Sequence, residues 1–394
     1  MTSARKQARR YSDKSRGVSL DQPLVLSILA LLAIGIVMVA STSVAVAEKY
    51  SVGEWHFFSR HLVFVALGLA LAVAVQWLNT SILEKAGRIC LLLALLLLAA
   101  VLMPGLGVTV NGATRWLNLG LFRFQVVEAV KLLMIIYIAG YLARRPSLGE
   151  AGLMDTLKPL LVGGLVAAIL LKQPDMGSAL VLMAILGGMV WLAGAAWKSL
   201  SLLGLAALPL VTFAALEPYR LKRLTSFGDP FSDPYNAGFQ LVQALIAVGR
   251  GEVSGVGIGG SVQKLFYLPE AHTDFIFAIL AEELGLLGII AVLALFAVLV
   301  VRILRIGLRA HAAGSVFAAF TTFGIGLWIG LQALVSIGVN LGVLPTKGLT
   351  LPLVSAGGSS LMMTLAALGV VLRIGWELDQ AQLARPRRRR EWAA

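Results

Sequence analysis

The chain has 394 residues, of which 58% are hydrophobic and 13% charged, with a mean hydropathy of +0.87 and a formal net charge of +13. A soluble domain of this length needs far more polar surface, so the composition excludes one. A disulfide framework is excluded too, because Cys90 is the only cysteine; beside its leucine run it reads as a lipid-facing or packed side chain.

The first 22 residues are basic and polar. The apolar stretch behind them is too long for a signal-peptide core, and no small-residue cleavage site follows it, so a cleavable leader is not expected. From there, apolar runs recur that can cross a bilayer, which takes about 20 residues each. They lie near 24–46, 60–78, 87–103, 125–142, 158–172, 177–195, 198–216, 275–301, 313–341 and 354–373. Hydrocarbon offers no water to backbone groups, so these spans are expected to be helices. The runs are continuous rather than alternating, which rules out a porin-like barrel. The expected fold is an all-α polytopic bundle of ten membrane helices, with basic tails at 1–23 and 376–394 around a membrane domain at 24–375.

Lysine and arginine set the orientation. With the N-terminus in the cytoplasm, 21 of the 33 basic residues fall on the cytoplasmic side, eleven fall outside, and Lys131 lies within a span. The even span number returns the C-terminal tail and its Arg387–Arg390 run to the cytoplasm. Charge placed this way serves topology and headgroup attraction rather than nucleic acid.

The seventh and eighth spans are joined by a large extracytoplasmic loop, 217–274. Loops of that length are usually functional or disordered. Asp229-Pro230 and Asp233-Pro234 read as turns. Asn236 is expected to cap a helix carrying Phe239, Val242, Leu245 and Ile246, lying on the membrane or against the bundle. Six glycines between Gly249 and Gly260 follow. A phosphate cradle is a weak reading, since no strand precedes them and no Gly-Lys-Ser/Thr follows. Close backbone packing is favoured.

Shorter extracytoplasmic segments carry Arg115 and Trp116, Lys172 and Asp175, and Lys347. Arg115, Arg220, Lys347 and Asp274 are expected to converge there. Inside the spans, Glu128 and Lys131 are three residues apart and share a helix face, which reads as a structural ion pair. Glu282 and Glu283 are adjacent and are not expected to share one face; one of them is expected to face the bundle or a cavity and to hold the helix below Asp274 by hydrogen bonding.

Five motifs carry a resemblance: "VNGATRWLNLG", "QPDMGSALV", "GDPFSDPYNAGFQLVQALIAVGRG", "YLPEAHTDFIFAILAEELG" and "LPTKGLTLPLVSAGGSS". Over about 24–375 the chain resembles the SEDS family (shape, elongation, division and sporulation). "LPTKG" and the "EPYR" start of the long loop are more similar to its division branch than to its elongation branch. It departs from the family pattern at Val126, where a proline is usual, and at Ala356, where an aromatic is usual.

The resemblance implies a GT-C-like membrane bundle and an inverting peptidoglycan glycosyltransferase. Such an enzyme joins lipid II units into glycan at the outer face of the cytoplasmic (inner) membrane, here at the division septum. It places the essential aspartate on Asp274 and a sensitive loop on Arg115-Trp116. Trp116 has a second reading as an interface anchor. One inversion at an anomeric carbon needs one base, unlike the carboxylate pair of glycosidases. Asp274 fits that base, with Arg220, Lys347 and Arg115 as pyrophosphate contacts and His272 as a substrate contact or loop-ordering group. A loosely held Mg²⁺ or Mn²⁺ bridging Asp274 and pyrophosphate suits hard-ion chemistry. Implied partners are a class B penicillin-binding transpeptidase of the FtsI type, FtsQ/FtsL/FtsB-type proteins and FtsN-type proteins. The transpeptidase helix is expected at spans 275–301 and 313–341, on the small-residue strip Ala312, Ala313, Gly314, Ala318 and Ala319. The competing readings are a lipid II flippase, an elongation-type polymerase and a scaffold without catalysis. A transporter should show repeat-related broken helices, and the sequence shows no internal repeat.

Overall fold

The structure, a computed structural model, describes residues 21–49, 53, 55–110, 112–120, 122–145, 153–216, 221, 225–265 and 267–391. Helix α1 is Gln22–Lys49, α2 His56–Gln76, α3 the short Thr80–Lys85 and α4 Gly87–Leu102. Strands β1 (Gly107–Val110), β2 (Ala113–Asn118) and β3 (Arg123–Gln125) follow, then α5 (Val126–Ala143), α6 (Leu153–Lys172), α7 (Met176–Leu192) and α8 (Trp197–Ala215). The large loop carries α9 (Phe239–Gly251), and α10 (Ile276–Ala312), α11 (Val316–Asn340) and α12 (Gly358–Glu391) complete the chain.

Each of the ten expected spans coincides with a helix. Among the described residues seven helices are long and apolar enough to cross a bilayer alone, while Gly87–Leu102 and Met176–Leu192 are shorter apolar helices in the same bundle. Lipid-facing leucines such as Leu26, Leu69, Leu92 and Leu287 are exposed, while Val130, Met134, Ile135 and Ile138 of α5 are wholly buried. The chain is thus a multi-pass membrane protein with α5 near its centre. Cys90 is buried, so it is a packed side chain.

Four expectations need correction or extension. The antiparallel sheet β1-β2-β3 adds strand structure to an otherwise helical fold. Asn236 does not cap α9; it donates to Asp233 Oδ1 at 2.8 Å, and Gly238 stands at the cap position. The shorter Asn236 side chain is consumed by the turn before the helix begins. Both Glu282 and Glu283 are buried, because a loop covers one side of α10 and α1 the other. The small-residue strip is divided: Ala318 and Ala319 are buried inside the bundle, while Ala312 ends α10 and Ala313 and Gly314 form the turn after it, all three exposed.

Helix α10 organises the loop end. Its 37 residues make it about 55 Å long at about 1.5 Å per residue, against a hydrocarbon core of about 30 Å. It is broken at Gly285, where φ is 65° and ψ −161°. The glycine-rich segment enters this break. Val256 N–H donates to the Glu282 carbonyl at 3.0 Å and Gly257 N–H to the Glu283 carbonyl at 3.1 Å. From the other side, Leu286 N–H donates to the Glu252 carbonyl at 2.9 Å and Leu287 N–H to the Val253 carbonyl at 3.2 Å. Backbone groups freed by the break are satisfied by the loop, as they must be in a protein interior. Close packing is therefore what these glycines provide. A Cβ on Gly251 would stand 2.0 Å from the Ala281 carbonyl oxygen, and one on Gly255 2.1 Å from that of Glu283.

Candidate functional site

Asp274 precedes α10 at the loop end of the bundle and is half-buried. The backbone around it is fixed from two directions. Asn340, the last residue of α11, donates from Nδ2 to the Asp274 carbonyl at 2.9 Å and accepts from Ala278 N–H at 2.9 Å through Oδ1. The 345–357 loop supplies the rest: Ser355 Oγ donates to the Thr273 carbonyl at 2.6 Å, and Ala356 N–H to that of His272 at 3.0 Å. Gly348 lets this loop pass against the carboxylate, since a Cβ there would lie 3.0 Å from Asp274 Oδ2. Glu270 and Leu353, on either side of this junction, adopt φ of 56° and 65°. Left-handed backbone at non-glycine residues costs on the order of 1–3 kcal/mol each and clusters at working sites.

Two of the expected cations come to the same region. Arg115, on β2, has Nε 4.0 Å from Asp175 Oδ2. It also donates to the Gln173 carbonyl at 3.4 Å and to that of Pro174. Asp175 caps α7, accepting from Ser178 N–H at 3.2 Å. Lys347 reaches the same helix start, its Cδ lying 3.9 Å from a Cβ placed on Gly177. Arg115 and Lys347 therefore both lie at the N-terminal end of α7, where the helix dipole also favours an anion. Lys347 is next in sequence to the glycine that touches Asp274. Arg220 lies outside the described residues. Trp116 is half-buried and pairs with Gln125 of β3 and Val108 of β1, and neighbouring strand residues point to opposite faces, so it faces away from Arg115. His272 packs its ring 6.0 Å from that of Phe57.

Among the described residues no group of three or more His, Cys, Asp or Glu side chains could hold a metal ion. Asp274 offers one carboxylate, whereas Mg²⁺ takes about six oxygen ligands. The described residues alone do not compose a resident divalent-metal site.

The buried ion pair expected at Glu128 and Lys131 is formed, at 3.0 Å, and it extends further than the pair itself. Lys131 Nζ also donates to Gln332 Oε1 at 2.7 Å, as does Trp328 Nε1 at 2.7 Å. Gln332 Nε2 then donates to the Thr350 carbonyl at 3.0 Å, tying the network to the loop beside Asp274. Asn340, Ser355 and Gly348 are supporting residues that the sequence did not single out, whereas Asp175 was named there with Lys172. A buried Asn ending an apolar run was the one available signal, since polar groups within a membrane protein are seldom idle.

The family model of the cell cycle proteins FtsW, RodA and SpoVE matches residues 22–380. A probable peptidoglycan glycosyltransferase FtsW from Thioalkalivibrio sulfidiphilus is 50% identical over 356 residues, 90% of this chain and 89% of that protein. A solved chain from work on polymerization and crosslinking by a peptidoglycan synthase complex is 33% identical, with a TM-score of 0.74 over 91% of this chain and 98% of that one. The crystal structure of Thermus thermophilus rod shape determining protein RodA is 31% identical, with a TM-score of 0.67 over 91% of this chain and 97% of that one. Sequence, fold and near-complete coverage agree: this chain belongs to the FtsW/RodA/SpoVE family of cell cycle proteins.

Proposed function

We propose that this protein is a peptidoglycan glycosyltransferase that polymerises lipid II during septal wall synthesis. The observation that carries the reading is the arrangement at the loop end: the Asp274 carboxylate beside a loop whose Lys347 reaches the start of α7, where Arg115 lies against the capping Asp175. In the proposed reaction a sugar hydroxyl oxygen attacks the anomeric carbon of the donor. The bond from that carbon to pyrophosphate breaks, and the hydroxyl proton passes to the Asp274 carboxylate. Charge left on pyrophosphate is met by Lys347, Arg115 and the helix start. Any divalent cation would arrive on the pyrophosphate.

The distribution of Lys and Arg supports placing this end outside the cytoplasm, with both termini inside. The relatedness to a synthase complex that polymerises and crosslinks supports a transpeptidase partner, proposed here as a class B penicillin-binding protein within the division machinery. The break in α10 and the buried charges Glu128 and Lys131 are features that favour a flippase. The backbone groups freed by the break are bonded to the 252–257 loop instead of lining an ion site, which supports the enzyme reading.

The deciding experiment supplies lipid II to the purified protein with its transpeptidase partner. Glycan ladders on a gel are expected. Translocation of lipid II across vesicles without any glycan product would reject the proposal.

A further inference from the structure

Glu282 lies eight residues after Asp274 in sequence, about two helical turns below it. Its carboxylate is wholly buried and accepts four hydrogen bonds from the long loop. Arg250 Nη1 donates to Oε1 at 2.9 Å and Val262 N–H at 3.1 Å. Ser261 Oγ donates to Oε2, as does Gln263 N–H at 3.4 Å. The neighbouring Glu283 fastens the next residue of the loop: Lys264 Nζ lies 2.7 Å from Oε1, which also accepts from Ser41 Oγ of α1 at 2.6 Å.

These bonds close a ring. Ser261 and Glu282 are 21 positions apart, and the segment between them contains Asp274. The ring is held at the base by the Glu282 carboxylate and at the top by Asn340, Ser355 and Ala356. Without the Glu282 carboxylate, residues 261–263 lose their side-chain anchor and the base keeps only the Lys264–Glu283 pair and the Val256 and Gly257 backbone bonds, so part of the conformational freedom removed by closing the loop returns. Burying a carboxylate is costly unless its oxygens are satisfied, and here the satisfying donors come almost wholly from the loop.

We propose that Glu282 is a positioning residue for the reaction: its carboxylate clasps residues 261–263 and so fixes the loop that presents Asp274. The inference rests on the reading of Asp274 as the base. Glu282 itself touches no reacting atom, and its effect passes through the loop.

The test compares wild type with Glu282→Gln in the full chain with its transpeptidase partner. The amide keeps the shape, loses the charge that holds Arg250, and turns an N–H₂ toward loop donors. Misplacing a reacting group by about 1 Å can cost about 10²-fold in rate, so kcat for lipid II polymerisation is expected to fall by about that factor. KM should stay within about twofold, because the cations at α7 are untouched, and the acid limb of the pH–rate profile should keep its midpoint. Amide hydrogen exchange at 261–275 should quicken, a readout that needs no catalysis. A folded Glu282→Gln protein with kcat within about twofold of wild type would overturn the inference, as would unchanged exchange at 261–275. Should Glu282→Gln not accumulate, Ser261→Ala carries the same test from the loop side, with a several-fold loss of kcat expected. Asp274→Asn separates the two ideas: full activity there defeats the base reading, whereas a dead Asp274→Asn with a fully active Glu282→Gln defeats only the positioning role.

Discussion

Replacing Lys131 by Met removes a charge that has no access to water. The Lys131 side chain is 1% exposed and that of Glu128 4%. Nζ stands 3.0 Å from Glu128 Oε1, 2.7 Å from Gln332 Oε1 and 4.8 Å from the centre of the Trp328 ring. Met is unbranched, flexible and apolar, so it can fill the space, and the loss is chiefly electrostatic. Leaving one member of a buried pair behind costs about 3–5 kcal/mol. Removing both members costs less, because no stranded charge remains, so Glu128→Leu/Lys131→Met should recover most of that loss. The residual cost, about 1 kcal/mol, is the re-pairing of Gln332 with Trp328 alone. Activity should fall with stability in the single variant, since Gln332 also holds Thr350 in the loop beside Asp274. Cys90, the only cysteine and 6% exposed, supplies the assay. A thiol-reactive dye reports its exposure as the protein unfolds on heating in detergent. The expected order of stability is wild type, then the double variant, then Lys131→Met. A single variant that melts with wild type would refute the claim that these two charges neutralise each other in a dry interior.

Gly285→Ala should destabilise by about 2 kcal/mol or more, combining a left-handed backbone with a Cβ 2.4 Å from Gly255 N; the same dye assay checks it, and wild-type melting would contradict it. Asn340→Leu removes the amide's bonds to Ala278 N–H and to the Asp274 carbonyl, at a cost of about 1–3 kcal/mol, and polymerisation measured well below the melting point should still be slowed several-fold. Arg115→Lys keeps the charge but not the planar fork that spans the Gln173 and Pro174 carbonyls, so kcat/KM for lipid II should drop several-fold without loss of folded protein. Trp116→Phe should preserve activity where Trp116→Ala lowers it; an active Trp116→Ala at normal protein levels would remove the substrate role.

The ten helices were legible because most apolar runs approach the length a bilayer demands and the shorter ones are still continuous apolar runs, and nothing tertiary is needed to read that. The sheet was not, because strands of four, six and three residues are too short for alternation to stand out. Local spacing separated Glu282 from Glu283 on the helix surface. What buries both is the break at Gly285 and the loop that fills it, contacts made across more than 20 residues. Asn236 followed the general preference for capping residues, but Asp233 engaged it first. Asp274 was found through the motif around it. Its supports, Asn340, Gly348 and Ser355, belong to segments 66 to 82 positions away, where single-sequence reasoning has no register to follow.

In the proposed reaction Asp274 takes the acceptor proton in glycan polymerisation. The most direct test of that step is lipid II polymerisation by the purified protein with its transpeptidase partner, wild type against Asp274→Asn, with and without chelator. Losing a general base typically costs about 10²–10⁴ in rate, so Asp274→Asn should make no long glycan while remaining folded and partner-bound. Wild type should show an acid limb in its pH–rate profile, and added Mg²⁺ should not rescue the variant. An Asp274→Asn protein that still makes long glycan would contradict the account.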